Sequence, residues 1–418
     1  MREKIVLAIV VTEGRNAWTP EDEAKEMTEL ITSCGGEVVH TIFCKTIPPT
    51  ASHLLTKGKV EEIRMLCEAG GIQAVVVSAD LKGSQQRNLE EDFGVKTLDR
   101  TQVILDIFAR RATSMEGKMQ VELAQLQYML PRLVGSSTEL SRQGGGIGTS
   151  GPGETKLETD RRRISSRIAK LQKELKVVAQ SRQIKRKKRQ EREIPTMALV
   201  GYTNAGKSTL LNALTGAPTV THDGLFTTLD SLSRQTVLPN NRKVVFSDTV
   251  GFMHDLPHGL IEAFKATLEE VQQADVLLHV MDVSHPNYRN FYAAVNAVLE
   301  ELKVLDKPII MVLNKIDRLT PSQQLRLGEF KKSGSLSIGI SALKGQNLNQ
   351  LLLLVEETLG EGSVDVDVLL PAKRMDLVNL AYAKGHVQDV QFLPKGIHLK
   401  ASLPTQIAAG ITRWAEAS

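Results

Sequence analysis

Cysteine is scarce in these 418 residues: Cys34, Cys44 and Cys67, odd in number and without a C-x-x-C spacing. That pattern argues against a disulfide framework or a thiolate metal site, and reads as core thiols in a reducing compartment. No apolar run approaches the length of a membrane span, and the N-terminus, Met1-Arg-Glu-Lys-Ile5, reads as lacking the apolar core of a secretory leader. A cytoplasmic location is the expectation. Neither sign of charge dominates: 52 Lys and Arg stand against 48 Asp and Glu, a net charge of +4. The chain as a whole is no polycation, so any nucleic-acid surface must be local. Its length allows two or three hydrophobic cores.

What is present is concentrated after the apolar run Met197–Val200. Gly201, Tyr202, Thr203, Asn204, Ala205, Gly206, Lys207 and Ser208 fit G-x-x-x-x-G-K-[S/T], and Leu210–Leu214 reads as the helix leaving the loop. A strand entering and a helix leaving is the context a phosphate-binding loop needs. Its glycines let backbone N–H groups curl around phosphate oxygens, and the helix N-terminus adds positive potential. Lys207 is placed to reach the β- and γ-phosphates and Ser208 to ligate Mg²⁺. A glycine-rich turn could match by chance, but four further motifs follow in order. Phe226, Thr227, Thr228, Leu229 and Asp230 supply a switch threonine, Thr228, for Mg²⁺ and the γ-phosphate. Asp248, Thr249, Val250 and Gly251 end the apolar strand 243–247, so that Asp248 holds the metal through water and Gly251 touches the γ-phosphate. Asn314, Lys315, Ile316 and Asp317 end the run 308–313 and are similar to a guanine-reading motif, with the Asp317 carboxylate accepting from guanine N1 and N2. Ser341, Ala342 and Leu343 resemble the last base-contacting loop. Together these imply GTP and GDP as ligands and GTP hydrolysis as the reaction, with Lys207, Thr228, Gly251 and Asn204 as the catalytic set.

One substitution bears on mechanism. Phe252 follows Gly251, where many GTPases carry the glutamine that orients the attacking water. Help must come from a partner, a metal ion or another residue. Asn204 has two readings: a turn residue tolerating an unusual φ, or a ligand of a monovalent cation such as K⁺ beside the phosphates.

Around this core the chain divides into four parts. Residues 1–110 alternate strand and helix, with strands at 4–11, 38–43 and 74–78 and helices from Pro20, around 59–69 and around 84–92. This predicts a small open parallel α/β sheet. Its Lys57-Gly58-Lys59-Val60 is no second phosphate loop, lacking Gly at His53 and Ser or Thr at Val60. Residues 111–193 change to long helices. Met119, Leu123, Leu126, Leu130 and Leu133 form one seam, and Ile164, Ile168, Leu171, Leu175 and Val178 another, predicting an antiparallel hairpin. A glycine-rich loop over 135–160 separates the arms; at ~25 residues it is longer than ordinary loops and reads as a contact element. Arg161, Arg162 and Arg163 lie behind it, and the basic run 183–192 points to RNA. Residues 194–360 are the P-loop GTPase domain, and 361–418 a small α+β domain.

The segments 99–109, 118–126, 146–155 and 201–209 together resemble the HflX family of translational GTPases, over nearly the whole chain. The resemblance implies a cytoplasmic protein that binds the large (50S) ribosomal subunit and 70S ribosomes and splits stalled or idle particles, notably under heat stress. It also implies that the N-terminal domain and glycine loop contact 23S rRNA near the peptidyl-transferase region, and that the protein acts as a monomer. Phe252 matches a family trait. Some members are reported to use ATP through the N-terminal part, which here lacks a phosphate loop. A large-subunit assembly GTPase, or an RNA-modification or signalling GTPase, are the rival readings.

Overall fold

The computed structural model describes residues 2–11, 18–45, 52–133, 152–191, 194–216, 226, 229, 232–254, 265–332, 336–360 and 363–416. The first sheet is parallel, in the order β2-β1-β3-β4: β1 (Glu3–Val11), β2 (Gly36–Lys45), β3 (Ala74–Val77) and β4 (Lys96–Asp99). Both faces of β1 are apolar, as a parallel strand covered on two sides requires. Ile5, Leu7 and Ile9 pack on α1 (Pro20–Ser33) and α4 (Arg100–Arg111). Val6, Ala8 and Val10 face α2 (Lys57–Gly70) and α3 (Gly83–Phe93). Thr19 caps α1 by accepting from the Asp22 N–H at 3.2 Å, and Pro20 sits at its first turn. The expected strands and helices of this domain are present. The fourth strand, only Lys-Thr-Leu-Asp, was too short and too polar to show periodicity.

The helical hairpin forms from α5 (Met115–Leu133) and α6 (Pro152–Glu191). Arg167 meets Glu122 at 2.6 Å and Arg182 meets Glu116 at 2.6 Å, a pairing that only antiparallel arms allow. Leu171 is buried, and Ile164, Ile168, Leu175 and Val178 are half-buried between exposed neighbours, as their spacing requires. The loop expected over 135–160 is corrected in part: Pro152 opens α6, so 152–160 is helix. Proline at a first helical position, followed by Glu, Lys and Leu, favours that start. Residues 134–151 lie outside the described residues.

The second sheet has six strands in the order β10-β9-β8-β5-β7-β6: β5 (Thr196–Val200), β6 (Leu232–Val237), β7 (Lys243–Asp248), β8 (Val276–Asp282), β9 (Ile309–Asn314) and β10 (Ser337–Gly339). All neighbours are parallel except β6 with β7. Around it run α7 (Lys207–Thr215), α8 (Lys265–Gln273), α9 (Tyr288–Glu301), α10 (Arg326–Lys332) and α11 (Leu348–Gly360). Met197 and Leu199 point into one core with Leu210, Leu211, Leu351 and Val355. Ala198 and Val200 point the other way, into a core that runs without a break into the α1–α4 face of the first domain. The two domains therefore share one apolar cluster. The last part is an antiparallel sheet, β11 (Ser363–Leu370), β12 (His386–Leu393) and β13 (Gly396–Pro404), ordered β11-β13-β12. Its core draws on α12 (Met375–Lys384) and α13 (Thr405–Glu416). No described helix is long and apolar enough to cross a membrane.

Candidate functional site

At the C-terminal edge of the second sheet, β5 passes into the loop 201–206 and α7. Gly201 has φ 155°, and a Cβ there would stand 2.2 Å from the Val280 carbonyl oxygen. Gly206, φ 94°, would put a Cβ 2.4 Å from Asn314 Nδ2. Neither position admits a side chain, so the motif glycines are fixed by close approach. Asn204 occupies the left-handed region at φ 59°, which fits its reading as a turn residue and leaves the cation reading open.

Lys207 is buried, and its ammonium donates to the Gly201 and Tyr202 carbonyls at 3.1 and 2.9 Å, curled inside its own loop. Burial pulls its pKa down to about 8, with Asp248 resisting. Ser208 donates to Asp248 Oδ2 at 2.6 Å, so a hydroxyl and a carboxylate from two chain segments meet beside the loop. Hard oxygen donors of this kind suit Mg²⁺. Thr249 donates to the Leu199 carbonyl at 2.7 Å, fixing where Gly251 arrives. Phe252 is buried; its N–H donates to the Gly201 carbonyl and its carbonyl accepts from the Thr203 N–H at 2.8 Å. Its side chain belongs to the shared core with Tyr202, Val250 and Met253.

Asn314 ties the base side to the phosphate side. Its Nδ2 donates to the Ala205 carbonyl at 2.8 Å and its Oδ1 accepts from the Ala342 N–H at 3.0 Å. Lys315, at φ 63°, donates to the Asn204 carbonyl at 2.8 Å and pairs with Asp282 at 2.7 Å. Asp317 is exposed in the short 3₁₀ turn Ile316–Arg318. Ser341 and Ala342 are buried behind the base loop, while Leu343 is exposed. Four of the five motifs thus converge on one edge; of the switch motif only Phe226 and Leu229 are described, and Thr227, Thr228 and Asp230 lie outside the described residues.

Three of the sequence-selected side chains turn away from the cleft. Phe226 and Leu229 are buried in the shared core, Phe226 edge-on to Phe108 of α4 at 4.7 Å. Tyr202 leaves the loop for the first domain, donating its hydroxyl to Glu26 of α1 and accepting from the His254 N–H at 2.9 Å. Arg100 completes this joint, donating to Glu26 at 2.8 Å and to the His254 carbonyl at 2.7 Å. Sequence reasoning missed Glu26 and Arg100, because a charged residue on an amphipathic helix normally faces water and nothing local marks these two as buried. Arg100→Met is expected to cost about 3–5 kcal/mol, since it strands the Glu26 carboxylate in the interior. Adding Glu26→Gln should recover part of that loss. Urea denaturation of the two variants checks it, and equal stabilities would refute the pairing.

Comparison with known proteins gives a consistent result. The family models described as "GTP-binding GTPase N-terminal", "GTP-binding GTPase Middle Region" and "50S ribosome-binding GTPase" match residues 21–109, 111–189 and 196–315. The chain is 45% identical over 409 residues to the GTPase HflX of Caldanaerobacter subterraneus subsp. tengcongensis, covering 97% of this chain and 92% of that one. It is 49% identical to the GTPase HflX of Alkalihalophilus pseudofirmus over 81% of this chain and 79% of the relative. A solved structure of a GTP-binding protein from Sulfolobus solfataricus in complex with GDP is 26% identical, covers 86% of this chain and 98% of its own, and has a TM-score of 0.45.

Proposed function

The chain belongs to the HflX family of GTPases, and from that premise we propose that it binds the large ribosomal subunit and 70S ribosomes and, in its GTP state, splits stalled or idle ribosomes into subunits in the cytoplasm. What supports this is one arrangement: a nucleotide edge joined through a shared core to a second domain and a hairpin. A change at the nucleotide can then reach a distant RNA-facing surface. Rate-zonal sedimentation of 70S particles with the protein and GTP, GDP or a non-hydrolysable analogue tests it. Separation of subunits with the analogue supports splitting. Co-sedimentation with intact 70S in every nucleotide state would refute it.

The residues divide the chemistry as follows. Lys207 leaves the loop carbonyls for the β- and γ-phosphates, and the N-terminal N–H groups of α7 hold the remaining phosphate oxygens. Ser208 and Thr228 would hold Mg²⁺, with Asp248 behind, and an ion held there would neutralise charge developing on the phosphate oxygens. Gly251 gives its N–H to the γ-phosphate. Phe252, sealed in the core, leaves the attacking water without the usual side chain, so intrinsic turnover is slow and the ribosome raises it. If Asn204 helps to hold a monovalent cation, hydrolysis on ribosomes is faster in K⁺ than in Na⁺. Equal rates in the two salts would remove the cation and leave the GTPase.

Guanine selectivity rests on Asp317. Asp317→Asn presents a donor where guanine N1 and N2 also donate, and a mismatched polar contact costs about 1–3 kcal/mol. The variant is expected to prefer xanthosine triphosphate. Competition binding with the two nucleotides reads the switch, and an unchanged preference for GTP would move base reading elsewhere.

A further inference from the structure

Beside the nucleotide cleft, a cavity of about 130 Å³ lies where α1 meets the phosphate loop, the end of β8 and α9. Its wall is aromatic. Tyr202 and Phe291 stack at 4.0 Å, with Trp18 at 5.7 Å and His285 at 4.6 Å from the Phe291 ring. Two buried polar atoms of its lining, Thr203 Oγ1 and His279 Nδ1, have no hydrogen-bond partner among the described residues. Both residues are more than nine-tenths buried, at 6% and 1% exposure. Buried polar groups are normally satisfied, so two such atoms around one cavity mark a place for a ligand. The lining is also acidic. Glu26 is committed to Arg100, and Asp282 to Lys315. Asp22, which accepts from the Thr19 hydroxyl at 2.9 Å, and Glu29 add two further carboxylates, against one basic lining residue, Lys25.

We propose that this cavity binds a small planar organic cation: a single ring bearing an amidinium or guanidinium group, its face on the aromatic wall and its N–H donors toward Asp22 and Glu29. The cavity is open on one side, so it has to hold only the ring, which is of the size that a cavity of about 150 Å³ takes up. The aromatic wall favours a cation over a neutral ring. Burial drives the His279 pKa down to about 3, and Lys207 adds to this, so the imidazole is neutral and adds no positive charge to the lining. Partial desolvation, with Glu26 nearby and Lys315 opposing, raises the carboxyl of the solvent-facing Glu29, a shift that an added cation counters. Tyr202, Thr203, Asn204 and Ala205 belong to both the cavity lining and the phosphate loop, so the ligand and the nucleotide are thermodynamically coupled.

Benzamidine is the probe, titrated into the full-length protein by calorimetry and followed by ligand-observed NMR, with benzoate as the charge-reversed control. One saturable benzamidine site is expected, with benzoate weaker by at least about tenfold. Glu29→Gln, on the exposed side of α1, should weaken benzamidine by a similar factor while leaving the far-ultraviolet circular dichroism unchanged. Saturating benzamidine should change the GDP affinity by the same factor as GDP changes that of benzamidine. The site is overturned by no saturation at ~10 mM, by equal binding of benzoate, or by unaltered binding in both Glu29→Gln and Asp22→Asn. A GDP affinity identical with and without benzamidine overturns the coupling. None of these readouts involves ribosomes, so their failure leaves the ribosome-splitting reading where it stands.

Discussion

Lys207→Ala is expected to weaken GDP and Mg–GTP binding by about two to four powers of ten and to leave no measurable hydrolysis at micromolar nucleotide. The magnitude follows from truncating one partner of a buried charged contact, about 3–5 kcal/mol. The wild-type loop is already shaped for the phosphates: Gly201 and Gly206 are held by close contacts, and Asn314 fixes Ala205. The variant therefore loses the charge without losing the loop. The same lysine sets a pH signature. In the nucleotide-free protein its pKa stands at about 8, depressed by burial; bound phosphates raise it, so binding takes up a proton. Affinity is full below that value and falls as pH rises through it. Between pH 7 and 8.5 the wild-type Kd for GDP should weaken about fourfold, while Lys207→Ala should show no such slope. Fluorescence titration with labelled GDP measures both. Wild-type affinity in the variant would remove this loop from the phosphate site.

For the fold the sign is opposite to that of a salt-bridged lysine. A folded-state pKa below the ordinary lysine value means that the charged form is penalised in the native state. That penalty is complete below about pH 8 and is relieved as pH rises toward the unfolded pKa. The nucleotide-free protein thus keeps a strained charge at neutral pH for the ligand to satisfy, and GDP should raise its thermal midpoint more at pH 7 than at pH 8.5.

How far the sequence was legible depends on the range of the interaction. Gly201–Ser208, the strand ends at Asp248 and Asn314, and the continuous apolar run of β1 are local patterns, and each appears where its spacing puts it. The hairpin was legible because its two seams repeat with one period and meet through Glu122–Arg167. What stayed hidden is long-range pairing. Tyr202 reads as part of the phosphate-binding loop, yet its hydroxyl reaches Glu26, 176 residues earlier in the chain. Phe226 looked like part of a nucleotide switch and packs on Phe108. Phe252 could be seen to be unable to orient water, but not to join a core spanning two domains. Each of these is decided by what lies opposite in space, on which a single sequence carries no signal.

Replacing residues 135–156 by a short neutral turn should leave intrinsic GTP hydrolysis within about twofold of wild type and abolish the splitting of 70S particles. The first half follows from location. The nucleotide edge is built from β5, β7, β9 and their loops, with Glu26 and Arg100 of the first domain behind it, and none of these is made by the segment between the hairpin arms or by the first turn of α6, which the replacement also removes. The second half follows from composition. A stretch with Arg142, six glycines between Gly144 and Gly153, and little apolar surface cannot bury a core of its own. Its glycines admit close backbone approach to folded RNA, and Arg161, Arg162 and Arg163 follow on α6, with Arg162 and Arg163 mostly exposed. Binding to 50S subunits should weaken less than splitting, because the basic face of α6 around Arg162, Arg163 and Lys170 and the first domain remain. Charge reversal at Arg162 and Arg163 should do the opposite, weakening 50S binding with a reduced salt slope. If the loop-replaced protein separates 70S particles at the wild-type rate, the working surface lies on the N-terminal sheet, and the hairpin only holds that domain at its distance from the ribosome.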